Sequence, residues 1–135
     1  MDTIKEFGRI MDTQTELALA TIGTDGTPNV RIVNYYFNTE NNVIYFTTFK
    51  DNEKVKEMEQ NRNVAFTTIP QKGNEHIKAR GIALRSEKTV FDLADCFCNK
   101  IPGYKNTIDF AGDSLILYEI HFKTATVTLD LSDIQ

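Results

Sequence analysis

Six short segments rich in β-branched and aromatic residues recur along the chain, and turn-forming residues separate them. Residues 16–23 form the first predicted strand, and the Asp25-Gly26 pair that follows favours a tight hairpin. The second arm of this hairpin, residues 29–38, has large side chains at both alternating sets of positions. We therefore expect this strand to be covered on both faces. The other strands are predicted at residues 43–48, 64–69, 76–85 and 114–131.

The last predicted strand indicates how the sheet is shaped. Its apolar positions change from even-numbered to odd-numbered residues near Lys123, which predicts a bulge there. Bulges bend strands and allow a small sheet to close on itself. The sequence therefore predicts a mainly β fold, a six-stranded antiparallel barrel of the closed Greek-key or split-barrel kind with small flanking helices.

The helices are predicted from apolar spacing and from residues that begin or end them. A short amphipathic helix is expected within residues 4–11, and the composition of residues 53–60 favours a second helix. Ser86 is expected to cap a third helix, which the proline and glycine of residues 101–104 end. Residues 105–113 remain ambiguous between helix and loop.

Length and charge limit the classes of function. A chain of 135 residues predicts one domain over residues 1–135. The net charge of -4 and pI of about 5.1 argue against duplex nucleic acid as a partner, since such proteins need a basic surface. No apolar run approaches a membrane span, and the N-terminal residues lack the apolar centre of a signal peptide. We expect a cytoplasmic protein with Cys96 and Cys98 as reduced helix residues.

The strand-to-helix connection at residues 47–54 has the composition of an anion site. Thr47 and Thr48 end a strand, a short loop follows, and Lys54 lies in the first turn of the next helix. Free amide groups and the helix dipole favour negative charge at such a terminus. The alternative is a helix cap formed by Asp51 or Asn52 beside a solvated lysine. The spacing alone leaves both interpretations open.

Two other strands carry candidate polar residues. By strand alternation, Arg31 shares a face with large apolar side chains and needs an anionic partner or a route to water. The alternatives are a phosphate, bound through two hydrogen bonds, an Asp or Glu of the chain, or a position at the edge of the sheet. His76 shares a face with Lys78 and Arg80, which is either a solvated outer face or a contact with a cofactor.

Several kinds of catalytic site are missing from the sequence. It contains no glycine-rich dinucleotide loop, no Walker lysine motif and no His-Glu-x-x-His zinc motif. No metal site is predicted. With two histidines in the whole chain, a protease-like triad is not expected and the catalytic residues stay unassigned. We therefore expect any chemistry to come from a bound cofactor.

These features together resemble the FMN-binding split barrels of the pyridoxamine 5'-phosphate oxidase-like family. The matching order is the hairpin TxxxDGTPNVRIV, the strand VIYFTT, the helix with Lys54, the NRNV turn, and the strands HIKARGIA and ILYEIHF. The resemblance covers nearly the whole chain.

The resemblance implies a set of FMN-binding residues. The strand from Arg31 to Tyr36, which includes Ile32, Val33 and Asn34, would lie against the isoalloxazine ring. Thr47, Thr48 and Lys54 would bind ribityl and phosphate oxygens, and His76 stands where the family commonly has a glutamine that reaches FMN. The family also implies a homodimer with flavin between two barrels. Candidates for that interface, for packing on the ring or for the core are Tyr35, Tyr36, Phe37 and Phe49.

Two departures from the family redirect the expected function. Glu53 stands where pyridoxamine-phosphate oxidases have an arginine, and no substrate-binding segment follows the last strand before Gln135. We therefore expect an FMN-dependent oxidoreductase, supplied by a nicotinamide donor and acting on another small molecule. The alternative is a non-catalytic FMN carrier or redox sensor. Some relatives of this fold hold haem or a deazaflavin, and the sequence leaves both open.

Overall fold

A computed structural model of the chain describes residues 2–130, and Leu131 of the last predicted strand lies outside that range. The helices are α1 (Thr3–Thr13), α2 (Glu53–Gln60), α3 (Ala94–Lys100) and α4 (Tyr104–Ala111), followed by a 3-10 turn at Gly112–Ser114. The strands are β1 (Glu16–Ile22), β2 (Pro28–Asn34), β3 (Tyr36–Asn38), β4 (Val43–Phe49), β5 (Asn63–Thr68), β6 (His76–Arg85), β7 (Leu115–His121) and β8 (Thr126–Thr128).

All strands belong to one antiparallel sheet in the order β2-β1-β5-β6-β7-β4-β3, and β8 pairs with β6. The two ends of this order, β2 and β3, are consecutive in the chain and are separated by Tyr35 alone. The sheet therefore closes into a barrel through one bent strand. The predicted fold class is confirmed. The strand count rises from six to eight because two predicted strands are each divided.

Tyr35 divides the second predicted strand into β2 and β3. Its amide donates a hydrogen bond to the Thr15 carbonyl at 3.0 Å, and its hydroxyl donates one to the Met11 carbonyl at 2.9 Å. The chain thereby leaves β1 and pairs with β4. The expectation that this strand is covered on both faces was wrong for its first half, because Val30 and Ile32 are 70% and 61% exposed.

The second division lies near Lys123, where the bulge was predicted. β6 pairs with β7 through residues 82–85 and with β8 through residues 76–78. Between the two pairings, Gly81 lies very close to the backbone at the end of β7. A Cβ atom at this position would be 2.3 Å from the His121 carbonyl oxygen. A side chain cannot fit at this crossing, so β6 changes partners at a glycine.

Two apolar clusters pack on the sheet. One fills the barrel and includes Leu19, Phe37 and Phe46, whereas the other joins the outer face of β4 and β7 to α3 and α4 through Phe97, among others. The ambiguous residues 105–113 are thus mostly helix α4, whose buried face completes the second cluster.

The predicted cap at Ser86 was wrong. Helix α3 begins eight residues later, at Ala94, and the Ser86 hydroxyl instead donates a hydrogen bond to Glu119 at 2.7 Å. Cys96 and Cys98 lie in α3 as free thiols, as predicted. Across residues 2–130, no helix is both long and apolar enough to cross a membrane.

Candidate functional site

A pocket of about 310 Å³ opens where β4 passes into α2. Its walls come from the end of β2, the end of β4, the first turn of α2 and helix α4. Six of the nine predicted site residues line it: Ile32, Val33, Asn34, Thr47, Thr48 and Lys54. They converge because the bent strand brings β2 across β4, and the short loop after β4 places α2 beside them.

Asn52 begins helix α2 and fixes the loop. Its side chain accepts a hydrogen bond from the Lys54 amide at 3.0 Å, and its own amide donates to the Phe49 carbonyl at 3.0 Å. The cap predicted as the alternative interpretation is therefore present at Asn52. It does not exclude an anion site, because the Lys54 side chain lines the pocket and is not solvated.

The Lys54 side chain is buried, with 8% of the residue exposed. Within residues 2–130 no carboxylate pairs with its ammonium group. Burial lowers the pKa of Lys54 below its usual range, and the nearby positive charge of Arg31 adds to this effect. A buried cation without a counter-ion is costly in the free protein, and an anionic ligand would offset that cost.

Thr48 provides a second unsatisfied group in the same pocket. Its hydroxyl oxygen is buried and has no hydrogen-bond partner among residues 2–130. The neighbouring hydroxyl of Thr47 is already engaged, 2.5 Å from the Tyr104 hydroxyl of α4. Buried polar atoms are nearly always paired, so the free hydroxyl of Thr48 points to a missing ligand or water.

Arg31 pairs with a glutamate, which is one of the alternatives that its sequence context left open. Its guanidinium donates to the Glu57 carboxylate at 3.1 Å and to the Thr21 hydroxyl at 2.9 Å. Glu57 is 3% exposed and also accepts hydrogen bonds from Thr21 and Asn29. The hydrogen bond from Thr21, followed by those from Arg31 and Asn29, holds the pKa of Glu57 below its usual range despite burial.

Sequence reasoning missed Glu57. The available signal was its position one helical turn after Lys54, because residues three apart lie on the same side of a helix. Both residues are buried on the side of α2 that faces the barrel. The pairing of Glu57 with Arg31 joins residues 26 apart and requires the fold.

Three predicted site residues lie outside this pocket within the described chain: Arg31, whose contacts are given above, Tyr36 and His76. Tyr36 packs against Tyr45 and Phe97, with ring centroids 6.3 and 6.0 Å away. Burial is the main cause, and the hydrogen bond with Cys96 a smaller one, that raises the pKa of Tyr36 to about 12. His76 begins β6, where its Nδ1 lies 2.7 Å from the Asn74 carbonyl oxygen. The role predicted for His76 stays a prediction.

The mouth of the pocket is apolar. Ile32 and Phe49 line it and are 61% and 52% exposed. Tyr35 and Phe37, which were candidates for an interface, ring packing or the core, lie in the barrel core. The pocket thus combines an apolar rim with an inner end that carries a cation and a free hydroxyl. Such a surface suits a planar apolar group that bears an anionic tail.

Comparisons with known proteins agree with this architecture. Residues 10–134 match the family model described as pyridoxamine 5'-phosphate oxidase-like. Over 72 residues the chain is 38% identical to a pyridoxine/pyridoxamine 5'-phosphate oxidase of Leptospira biflexa. This match covers 53% of this chain and 34% of the relative. The matched segment therefore spans about a third of that curated relative.

Solved structures share the fold at low sequence identity. General Stress Protein 26 of Bacillus anthracis superposes with a TM-score of 0.73 at 19% identity, covering 94% of each chain. The haem storage protein HutZ of Vibrio cholerae superposes with a TM-score of 0.72 at 16% identity, covering 94% of this chain and 95% of HutZ. These structures share the fold, and the family match over residues 10–134 shows that the chain belongs to the pyridoxamine 5'-phosphate oxidase-like family.

Proposed function

We propose that the protein binds FMN and that the inner end of the pocket receives its phosphate. The observation that supports this most strongly is the buried ammonium group of Lys54 without a carboxylate partner within residues 2–130, beside the unpaired hydroxyl of Thr48. A phosphate would accept hydrogen bonds from both groups and lie near the N-terminus of α2.

The pocket walls fit the rest of such a ligand. Asn34 and Thr47 provide polar side chains for a ribityl chain, and Ile32 and Val33 present apolar surface to a flat ring. Covering the exposed side chains of Ile32 and Phe49 with a ring would remove apolar surface from water.

In this proposal the protein is an FMN-dependent oxidoreductase that takes electrons from a nicotinamide and reduces a small acceptor. Bound FMN would supply the redox chemistry. The residues of the chain would hold the phosphate, orient the ring and keep water from one of its faces. The free thiols of Cys96 and Cys98 fit a reducing compartment, and we infer a cytoplasmic protein.

We also propose a homodimer. Val30 and Ile32 point outward from β2 next to the pocket and leave apolar surface exposed in a single chain. A second copy that covers this surface would complete the enclosure of the ligand, and residues such as His76 could then reach the flavin from the partner chain. Homodimers commonly bury apolar surface of this kind.

Flavin binding is tested by titrating the purified protein with FMN and with riboflavin while following flavin fluorescence. We expect FMN to bind at least about tenfold more tightly, because riboflavin lacks the phosphate that Lys54 would bind. Equal affinity for the two flavins, or binding of neither, would refute the phosphate site. A parallel titration with haem tests the ligand named for HutZ.

A second candidate function is a non-catalytic flavin carrier or sensor. It is favoured by the described pocket lining, in which threonine, asparagine, tyrosine and lysine are the polar residues and no carboxylate or histidine stands as a general base. Steady-state oxidation of NADH or NADPH by the FMN-loaded protein separates the two functions. Turnover with an added acceptor supports the enzyme, and its absence with a panel of quinone and nitroaromatic acceptors supports the carrier.

A further inference from the structure

A second cavity, which we call the β6 pocket, lies between β5, β6 and residues 124–126. Small alanine side chains and one buried phenylalanine form its apolar lining. The β6 pocket shares no lining residue with the pocket that contains Lys54, so the two cavities are separate. Its polar side chains are those of Lys78, Arg80, Thr124 and Thr126.

The β6 pocket is open because β6 changes partners beside it. Strand β6 pairs with β8 through residues 76–78 and with β7 through residues 82–85. Residues 79–81 therefore border a gap in the sheet, and the small side chains of Ala65, Ala79 and Ala125 leave this gap unfilled. The resulting volume of about 570 Å³ falls within the range of roughly 300–1,000 Å³ that is usual for small-molecule sites.

Lys78 and Arg80 have no acidic neighbours in this part of the sheet. They lie on one face of β6 because they are two residues apart in a strand. Within residues 2–130 neither cation forms an ion pair, and no carboxylate lines the β6 pocket. This local excess of positive charge contrasts with a chain of 19 acidic and 15 basic residues. The paired residues on the neighbouring strands are also uncharged: Thr67, Thr126 and Ala65.

The polar groups of the β6 pocket suit a phosphate. An arginine donates two parallel hydrogen bonds to phosphate oxygens, and a lysine adds a compact positive charge. Positions two residues apart in a strand are separated by about 6.6 Å, so the flexible side chains of Lys78 and Arg80 can reach the same anion. The hydroxyl groups of Thr124 and Thr126 provide further hydrogen-bond donors.

We propose that the β6 pocket binds the phosphate group of a small molecule, held by Arg80 and Lys78. The inference goes beyond the proposed function and does not depend on it, because the two pockets are formed by different residues. It also divides the face on which the sequence placed three candidate residues. Lys78 and Arg80 line the β6 pocket, whereas His76 does not. A merely solvated cationic face, the other interpretation of the sequence, predicts no saturable anion binding.

The first test is a calorimetric titration of the flavin-free protein with inorganic pyrophosphate. We expect saturable binding that weakens as the salt concentration rises, because the contacts join charged groups. Arg80→Met and Lys78→Met should each weaken binding by about tenfold, since each removes one charge-assisted interaction. Arg80→Lys should retain part of the affinity, because it keeps the charge and loses the paired hydrogen bonds. Unchanged affinity in both methionine variants overturns the proposal.

A second measurement locates the anion, because pyrophosphate could also enter the pocket that contains Lys54. The backbone amide signals of residues 78–80 and 124–126 should shift in heteronuclear NMR spectra when pyrophosphate is added. The same shifts should appear in the Lys54→Met variant. Shifts confined to residues 47–54, or a loss of all binding in Lys54→Met, would place the anion in the other pocket and overturn the proposal.

A matched control removes one positive charge from a nearby exposed position. Lys72 lies in the turn between β5 and β6, and Lys72→Met should change pyrophosphate affinity by less than about twofold because solvent screens its charge. A loss equal to that of Lys78→Met would show a general charge effect and overturn the proposal. Absence of saturable binding by the wild type up to about 10 mM pyrophosphate would also overturn it. Failure to bind FMN, by contrast, would refute only the proposed function.

Discussion

Replacing Lys54 with methionine should weaken ligand binding and at the same time stabilise the free protein. Methionine keeps the apolar stem of the side chain and removes the ammonium group. In the free protein that group is buried, and its lowered pKa shows that the fold disfavours its charged form. In the complex with FMN the same group would bind the phosphate. The two effects therefore have opposite signs.

The sizes of both effects follow from the site. A hydrogen bond to a charged group contributes about 1.5–3 kcal/mol, which corresponds to a loss of FMN affinity of about 10- to 150-fold. For the free protein, removing an unpaired buried charge should stabilise the fold by about 1 kcal/mol, within the usual range for a single stabilising substitution. That gain should raise the melting temperature by about 3 °C.

The sign of the pH dependence gives an independent check. Because the pKa of Lys54 is lower in the folded protein than its usual value of 10.5, the unfolded chain binds more protons in the interval between the two values. The contribution of Lys54 to stability therefore rises with pH across this interval. The methionine variant should lose that rise.

The assays are flavin fluorescence titration and thermal unfolding of the flavin-free protein, with Lys56→Met as the control. Lys56 lies on the same helix, but its side chain is 71% exposed, so its loss should change affinity by less than about twofold. A Lys54→Met variant that binds FMN normally would refute the assignment of the phosphate site. A variant that is less stable than the wild type would refute the argument from burial.

Other consequences of the structure can be measured directly. Gly81→Ala should cost about 2–3 kcal/mol in urea unfolding, because its Cβ atom would meet the His121 carbonyl oxygen at 2.3 Å. Gly8→Ala, in a helix with open space around it, should instead stabilise by about 0.5–1 kcal/mol, and a similar loss in both variants would contradict this reasoning. Burial lowers the pKa of Lys100 from 10.5 to about 8, so stability should rise between those pH values in the wild type and stay flatter in Lys100→Met. Ile32→Lys should shift the proposed dimer to a monomer in sedimentation velocity, and an unchanged sedimentation coefficient would exclude β2 from the interface.

Locally encoded elements were predicted closely. Helix α2 and strand β6 occupy the residues expected of them, because helix composition, Gly81 and the flanking turns are all visible in the sequence. The cap at Asn52 was among the alternatives for the same reason. Elements that are determined by residues close together in the sequence can be predicted from sequence patterns.

Features that depend on barrel closure were not predictable in this way. The alternation of residues 29–38 continues through Tyr35, so the sequence shows one strand where the fold has two. The division arises because the first part pairs with β1 and the second with β4. The exposure of Ile32 follows from the same long-range pairing.

The candidate site shows the same distinction. Thr47, Thr48 and Lys54 were proposed together because they are close in sequence, and the structure brings them to one pocket. Arg31 was recognised as a residue in need of a partner, yet the choice between a ligand and Glu57 depended on how α2 packs against β1 and β2. The sequence indicates that Arg31 requires a partner, and the packing of α2 determines that this partner is Glu57.

The bent strand has a consequence for how this scaffold can diversify. Residues 32–34 line the pocket, and Tyr35, which follows directly, joins β2 to β3 and so closes the barrel. Most substitutions in that stretch would therefore alter recognition and architecture together. Thr107 of helix α4 also lines the cavity, but it is exposed and belongs to no strand, so it is free of this double constraint. A change in what this pocket accommodates should therefore arise more readily at Thr107 than in the bent strand.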